Sequence, residues 1–328
     1  MLRRFTCQQT VLGETVRKLL SGTPPHRLNI NLKENRLTLS NLDIQIWKNV
    51  AEDVIDSLDE VGIKYVLIKA LSVPYVRMED VDLLIEREDD IYEALSILHK
   101  KKYSLYRDRY SLNPLKITAI QHRKNTQVDI YPEPAWFNMK YAPRFFITSN
   151  RVKRTVWGID AYMPNPTLDM YIVATHSYNH GFISLAEAAH VIRLILENKI
   201  NWNMLKKLAC TFKLKHALIP FLKMAQLSLS EDEIDKKMIK LINDILRKDT
   251  LSRIYIGWFT KTLLNGFPLR LPLTMRILSA SVRLFRPSLR PYTKVYDELS
   301  GYVLAFFLRG NTRKLVRWEK NESLNNNS

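Results

Sequence analysis

Two aspartates separated by one residue, Asp80 and Asp82, are the side chains whose type and spacing point most directly to chemistry. They begin the run Asp80-Val81-Asp82-Leu83-Leu84-Ile85, which predicts a β-strand with both carboxylates on one face. Carboxylates this close repel each other unless a divalent cation lies between them or one keeps its proton. The pair suggests metal-assisted chemistry on phosphate groups, and two solvated acids at a strand end are the simpler alternative.

An apolar run at residues 65–68 predicts another strand just before this pair, ending at Lys69. The loop between the two strands contains Ser72 and Arg77. Lys and Arg side chains suit the charge of phosphate groups, and a hydroxyl can add a hydrogen bond. Lys69, Ser72 and Arg77 are therefore the predicted phosphate contacts.

The order Ile68-Lys69, then Arg77, then Asp80-Val81-Asp82-Leu83-Leu84-Ile85 resembles the nucleotidyltransferase superfamily that includes DNA polymerase beta and the minimal nucleotidyltransferases. Within it, the pattern is most similar to a group of poorly characterised nucleotidyltransferases. The resemblance covers residues 45 to 210. It implies a magnesium-dependent enzyme that transfers a nucleoside monophosphate from an NTP, ATP among the possibilities, to a hydroxyl acceptor.

The same resemblance implies a third carboxylate on a later strand, and Asp129 in Gln127-Val128-Asp129-Ile130-Tyr131 matches that position. Asp80, Asp82 and Asp129 would together bind two Mg²⁺ ions, with Asp129 at the ion nearest the attacking hydroxyl. The alternative for Asp129 is a strand-end acid that caps the turn at Pro132.

The chain departs from the superfamily pattern directly after the first strand. It has Ala70-Leu71-Ser72 where relatives usually have a glycine followed by Ser or Gly. Alanine reaches left-handed backbone angles less easily than glycine, which affects how backbone amides approach a triphosphate. A catalytically degenerate module that binds nucleotide or RNA, using its basic C-terminal region, is therefore the alternative function.

Periodicity and resemblance together predict an α/β (α+β) protein, with a mixed-sheet nucleotidyltransferase core followed by an α-helical domain. The expected divisions are an N-terminal extension at 1–41, the core at 42–165, the helical domain at 166–250 and a basic helical C-terminal region with a disordered tail at 251–328. The Asn165-Pro166-Thr167 stretch marks the expected boundary.

The net charge of +17 predicts attraction to polyanions such as nucleotides, RNA or an anionic membrane surface. Residues 251–328 contribute strongly, with 13 Lys and Arg against 4 Asp and Glu. The two cysteines, Cys7 and Cys210, match no zinc spacing and indicate a reducing compartment. No run of residues is long and apolar enough to predict a transmembrane segment, so the expectation is a cytoplasmic protein.

His176 and His180 lie four residues apart on a predicted helix, and His190 lies on the next. This spacing can hold zinc, but no acidic or cysteine partner completes a known pattern. Packing or hydrogen bonding is the expected role, with substrate orientation as the alternative.

Overall fold

The computed structural model describes residues 41–73, 80–106, 116–121, 126–136, 139–140, 142–197, 199–212, 214–230, 232–263 and 269–270 of the 328-residue chain. The predicted N-terminal extension and most of the basic C-terminal region lie outside these residues, as does Arg77.

A mixed sheet forms the centre of the described chain. Its strands are β1 (Tyr65–Ile68), β2 (Asp80–Ile85), β3 (Ser104–Tyr106), β4 (Ile117–Gln121) and β5 (Thr126–Tyr131). They lie in the order β1-β2-β5-β4-β3, with β2 and β5 parallel and the other neighbours antiparallel. Shorter antiparallel pairs are β6 (Ala135–Trp136) with β7 (Met139–Lys140), β8 (Arg151–Val156) with β9 (Ile159–Pro164), and β10 (Phe182–Ile183) with β11 (Leu269–Arg270).

The helices fall before the sheet, within it and after it. They are α1 (Asn41–Glu60), α2 (Glu88–Lys100), α3 (Arg144–Ser149), α4 (Pro166–His180), α5 (Leu185–Leu196), α6 (Trp202–Thr211), α7 (Lys215–Ser228), α8 (Lys236–Lys248) and α9 (Thr250–Leu263). This combination of a mixed sheet with a largely helical second half confirms the predicted fold class.

Each face of the sheet is covered by a different layer, because successive strand residues point to opposite sides. One face packs against α1, α2 and the β8–β9 hairpin, and its residues include Tyr65, Leu67, Val81, Leu83, Val128 and Ile130. The other face contributes Val66, Ile68, Leu84 and Tyr131 to the core formed by α4 to α9. The alternation in the sequence thus sends Leu83 and Leu84 into two separate cores.

Local signals explain where several elements begin and end. Gly62, with φ 75°, follows α1 in the left-handed conformation that commonly ends helices. Asn165 caps α4 by accepting from the amide of Leu168, with Pro166 at the first helical position. Ser184 and Glu187 form a capping box at the start of α5.

Some boundaries differ from those the sequence predicts. The β8–β9 hairpin was not predicted, because basic side chains interrupt its alternation. The apolar positions Ile91, Leu95 and Leu98 predict a helix from Ile91 to about Lys101, but α2 begins at Glu88, where three acidic residues favour the helix N-terminus. Ser230 and Glu233 do bond to each other, but α8 begins at Lys236 with Asp235 as its cap.

The helices after residue 166 share one hydrophobic core with the sheet. The division of the chain into separate domains remains a prediction. None of the helices within the described ranges is long and apolar enough to cross a lipid bilayer.

Replacing Leu83 or Leu84 by Ala should lower the free energy of unfolding by about 2–5 kcal/mol, because each side chain is fully buried in a different core. Urea unfolding would measure the loss. Leu105→Ala is the control, since Leu105 is 39% exposed and should cost no more than about 0.5 kcal/mol. A loss below about 1 kcal/mol at Leu84 would contradict packing of the helices on that face.

Candidate active site

Three aspartates lie on the sheet face that the later helices cover. Asp82 of β2 and Asp129 of β5 are direct partners in the parallel register, which places their backbones about 4.8 Å apart. Asp80 lies two residues before Asp82 and therefore points to the same face. Trp47 of α1 donates its indole N–H to the Asp80 carbonyl oxygen at 2.9 Å and so anchors the start of β2. The structure thus brings all three predicted acids to adjacent strands.

Asp129 is enclosed by β4, the strand on its other side. Its side chain is 1% exposed. Lys116 donates to its Oδ2 at 2.6 Å, and Thr118, its register partner on β4, donates to its Oδ1 at 2.7 Å. Both carboxylate oxygens of Asp129 therefore have side-chain partners on or next to β4. An acid that only capped the turn at Pro132 would not need these contacts.

Lys69 gives Asp82 a similar partner. Its Nζ lies 2.5 Å from Asp82 Oδ1 as an ion pair, and it donates to the hydroxyl of Tyr131 at 3.1 Å. Lys69 reaches this position from a left-handed backbone conformation, with φ 58°, directly after β1. That conformation is strained for a residue other than glycine.

The protonation of the acids reflects their burial and mutual repulsion. Burial, followed by the charges of Asp129 and Asp82, raises the pKa of Asp80 to about 7. Burial also raises the pKa of Asp82, although Lys69 opposes it. Burial lowers the pKa of Lys116, but the nearby carboxylates, Asp129 first, outweigh it and the net shift is upward. Only when all three acids are ionised do they exceed the two ammonium groups by one negative charge, and the raised pKa values of Asp80 and Asp82 oppose that state.

The loop that leaves β1 is held by elements outside the sheet. Ser72 directs both its amide and its hydroxyl at Nδ1 of His190 on α5, each at 3.2 Å. Arg193, also on α5, donates to the Ser72 carbonyl oxygen, and Trp157 donates to that of Leu71 at 3.0 Å. The predicted phosphate contacts of Lys69 and Ser72 remain predictions, as does that of Arg77.

Helix α4 approaches the acidic site from the helical layer. Burial lowers the pKa of His176 well below its usual value, and the charges of His180, Lys69 and Lys116 add to the effect. The rings of His176 and His180 lie 4.0 Å apart between centroids. His176 is therefore a neutral imidazole close to the two lysines, as the expectation of a packing or orienting role allows.

Three carboxylates form the donor set that suits a hard cation such as Mg²⁺. Across the described ranges, however, no group of three or more His, Cys, Asp and Glu side chains is already arranged to hold a metal ion. Lys69 contacts Asp82 instead, and Lys116 and Thr118 contact the two oxygens of Asp129. The site fits a divalent cation in chemistry and in charge, provided that binding releases at least one of these lysine contacts.

Sequence reasoning missed Lys116, Thr118 and Tyr131. Alternation could have placed Tyr131 on the same face as Asp129, two residues earlier. Lys116 and Thr118 are two residues apart and so share one face of their strand. Only the register of β4 against β5 shows that the carboxylate they contact is that of Asp129.

The raised pKa of Asp80 predicts a loss of stability as pH rises in metal-free buffer. Between an unfolded pKa near 4 and the folded value of about 7, the folded chain binds more protons. The free energy of unfolding should fall by roughly 2–3 kcal/mol from pH 5 to pH 8 through this group.

Urea unfolding at the two pH values, with EDTA, would measure that loss. Asp80→Asn should remove it, whereas Asp56→Asn, at an exposed position of α1, should keep it. Equal pH dependence in the wild type and the Asp80→Asn variant would contradict the raised pKa.

A search of curated proteins gives no match to the chain. A model of the family described as uncharacterised nucleotidyltransferase matches residues 9–230, more than half of the 328 residues. That span includes β1, β2, β5 and the three aspartates they carry. The chain therefore belongs to the uncharacterised nucleotidyltransferase family.

Proposed function

We propose that this protein is a magnesium-dependent nucleotidyltransferase that transfers a nucleoside monophosphate from an NTP to a hydroxyl acceptor. The observation that carries the proposal is the register of β2 against β5, which sets Asp82 opposite Asp129 with Asp80 on the same face. Family membership supports the transfer of a nucleotide, and the three carboxylates on one sheet face support a cation.

In the proposed reaction, the acceptor hydroxyl attacks the α-phosphorus of the NTP. The bond from that phosphorus to the bridging oxygen breaks, pyrophosphate leaves, and the hydroxyl proton passes to a carboxylate of the acidic site. Asp80, Asp82 and Asp129 would hold Mg²⁺, which when bound neutralises phosphate charge and increases the acidity of the acceptor hydroxyl.

Lys69 and Lys116, the two lysines that pair with the acids, have different roles in the proposed reaction. Lys69, at the end of β1, lies where it can leave Asp82 and contact a phosphate once a metal compensates that carboxylate. Lys116 compensates Asp129 when no cation is bound. Binding of Mg²⁺ by the three carboxylates would require that Lys69 or Lys116 releases its carboxylate partner.

A non-catalytic module that binds nucleotide or RNA is the second candidate. The 2.6 Å ion pair between Lys116 and Asp129 favours it, since the lysine ammonium competes with a cation for that carboxylate. Ala70 in place of the usual glycine points in the same direction. The basic C-terminal region would supply the contacts with RNA or with an anionic membrane surface, and the proposed location is the cytoplasm.

Asp82→Asn should reduce transfer by at least about 100-fold, because it removes a central carboxylate while keeping the shape of the side chain. The measurement is Mg²⁺-dependent release of pyrophosphate, with labelled NTPs and a panel of hydroxyl acceptors. Glu52→Gln on α1 is the control and should retain activity. Nucleotide binding without turnover by the wild type on any acceptor would favour the non-catalytic module.

Lys116→Met should tighten Mg²⁺ binding by on the order of tenfold, since it frees Asp129 and makes the site more negative by one charge. Without metal the variant should be less stable than the wild type, and Mg²⁺ should restore its thermal stability. Thermal unfolding across a Mg²⁺ titration measures both effects, with Lys64→Met at an exposed position as the matched control. Unchanged or weaker Mg²⁺ affinity would show that Lys116 does not compete with the cation.

A further inference from the structure

His190 and Asp169 form a buried polar pair beneath the loop that leaves β1. Both side chains are fully buried. His190 Nε2 lies 3.2 Å from Asp169 Oδ2, which also accepts from Arg154 at 2.9 Å. Burial raises the pKa of Asp169, but His190 and Arg154 outweigh it and the net shift is downward. Asp169 is therefore a carboxylate held in the charged form inside the protein.

The contacts of His190 define its tautomer. A backbone amide can only donate, so the bond from the Ser72 amide requires Nδ1 to be an unprotonated acceptor. Nε2 then carries the proton and donates it to Asp169. His190 thus bridges the buried carboxylate of Asp169 on α4 and the backbone amide of Ser72 in the loop.

One helix, α5, holds both backbone polar groups of Ser72, its N–H and its C=O. His190 accepts from its amide, and Arg193, three residues later on α5, donates to its carbonyl oxygen. Residues three apart on a helix share a face, so both groups reach the loop together. Three residues before Ser72, the same loop begins at Lys69, whose Nζ contacts Asp82.

We propose that His190 is a positioning residue that fixes the loop of residues 69–73, and through it Lys69, for the triphosphate of an NTP. This inference rests on the proposed function. The role of Ser72 in this proposal is to anchor the loop to His190, because its amide and its hydroxyl both point to that imidazole. The strained backbone of Lys69, with φ 58°, relies on such an external restraint of the loop to hold its conformation before the nucleotide binds.

Two substitutions at His190 test its hydrogen bond with Ser72 separately from its hydrogen bond with Asp169. Asn places its Oδ1 where Nδ1 of histidine lies, and so keeps an acceptor for the Ser72 amide. Gln places its Nε2 where Nε2 of histidine lies, and so keeps a donor to Asp169 but loses the acceptor. Both remove the ring, and we expect both to lower the melting temperature by similar amounts.

Hydrogen exchange of the peptide that spans residues 69–73 is the direct readout, measured on the full chain below the melting temperature of each variant. His190→Gln should speed exchange in this peptide at least tenfold, whereas His190→Asn should stay within about threefold of the wild type. Similar exchange in the two variants would overturn the role of His190 in fixing the loop.

Binding of a non-hydrolysable NTP analogue with Mg²⁺ tests the consequence for function. His190→Gln should weaken binding about tenfold and raise KM more than it lowers kcat, and His190→Asn should bind nearly as the wild type does. Equal affinities in the two variants would overturn the link to the triphosphate. If the wild type binds no nucleotide, the proposed function fails, and the exchange experiment still decides whether His190 fixes the loop.

Discussion

The balance of charge on one buried sheet face is the constraint on which the rest of the site depends. Asp80, Asp82 and Asp129 lie on adjacent strands, and two lysines offset part of their repulsion. Ionised carboxylates are costly to bury without such partners, and burial, followed by the charges of Asp129 and Asp82, raises the pKa of Asp80 to about 7. A site in this state can take up a proton, and under the proposed function at least one lysine contact would have to give way to a cation.

The helical layer contributes directly to the site as well as to the core. The acids lie on the face that α4 to α9 cover, so α4 brings His176 towards the two lysines. Helix α5 holds Ser72 through His190 and Arg193. Because these residues come from the second half of the chain, the loop after β1 takes its shape only when the helices have packed on the sheet. Sheet and helices therefore form one functional unit.

A strained backbone conformation lies next to the position where this chain departs from the superfamily pattern. Lys69 adopts a left-handed conformation directly before Ala70. Such a conformation persists only where surrounding contacts hold it. Here the lysine head group is held by Asp82 and Tyr131, and the following loop is held by Trp157 and α5. Side-chain contacts from other elements thus stabilise the strained backbone at Lys69.

Local patterns in the sequence predict the strands that carry the acids, the shared face of Asp80 and Asp82, and the start of α4 at Asn165-Pro166. These features follow from alternation and from capping, which act between near neighbours. The folded chain was needed to show that Asp82 lies opposite Asp129, that Lys116 and Thr118 contact Asp129, and that His190 contacts Ser72 across 118 positions of the chain. Strand register and helix packing arise from burial summed over the whole core, which no local pattern contains.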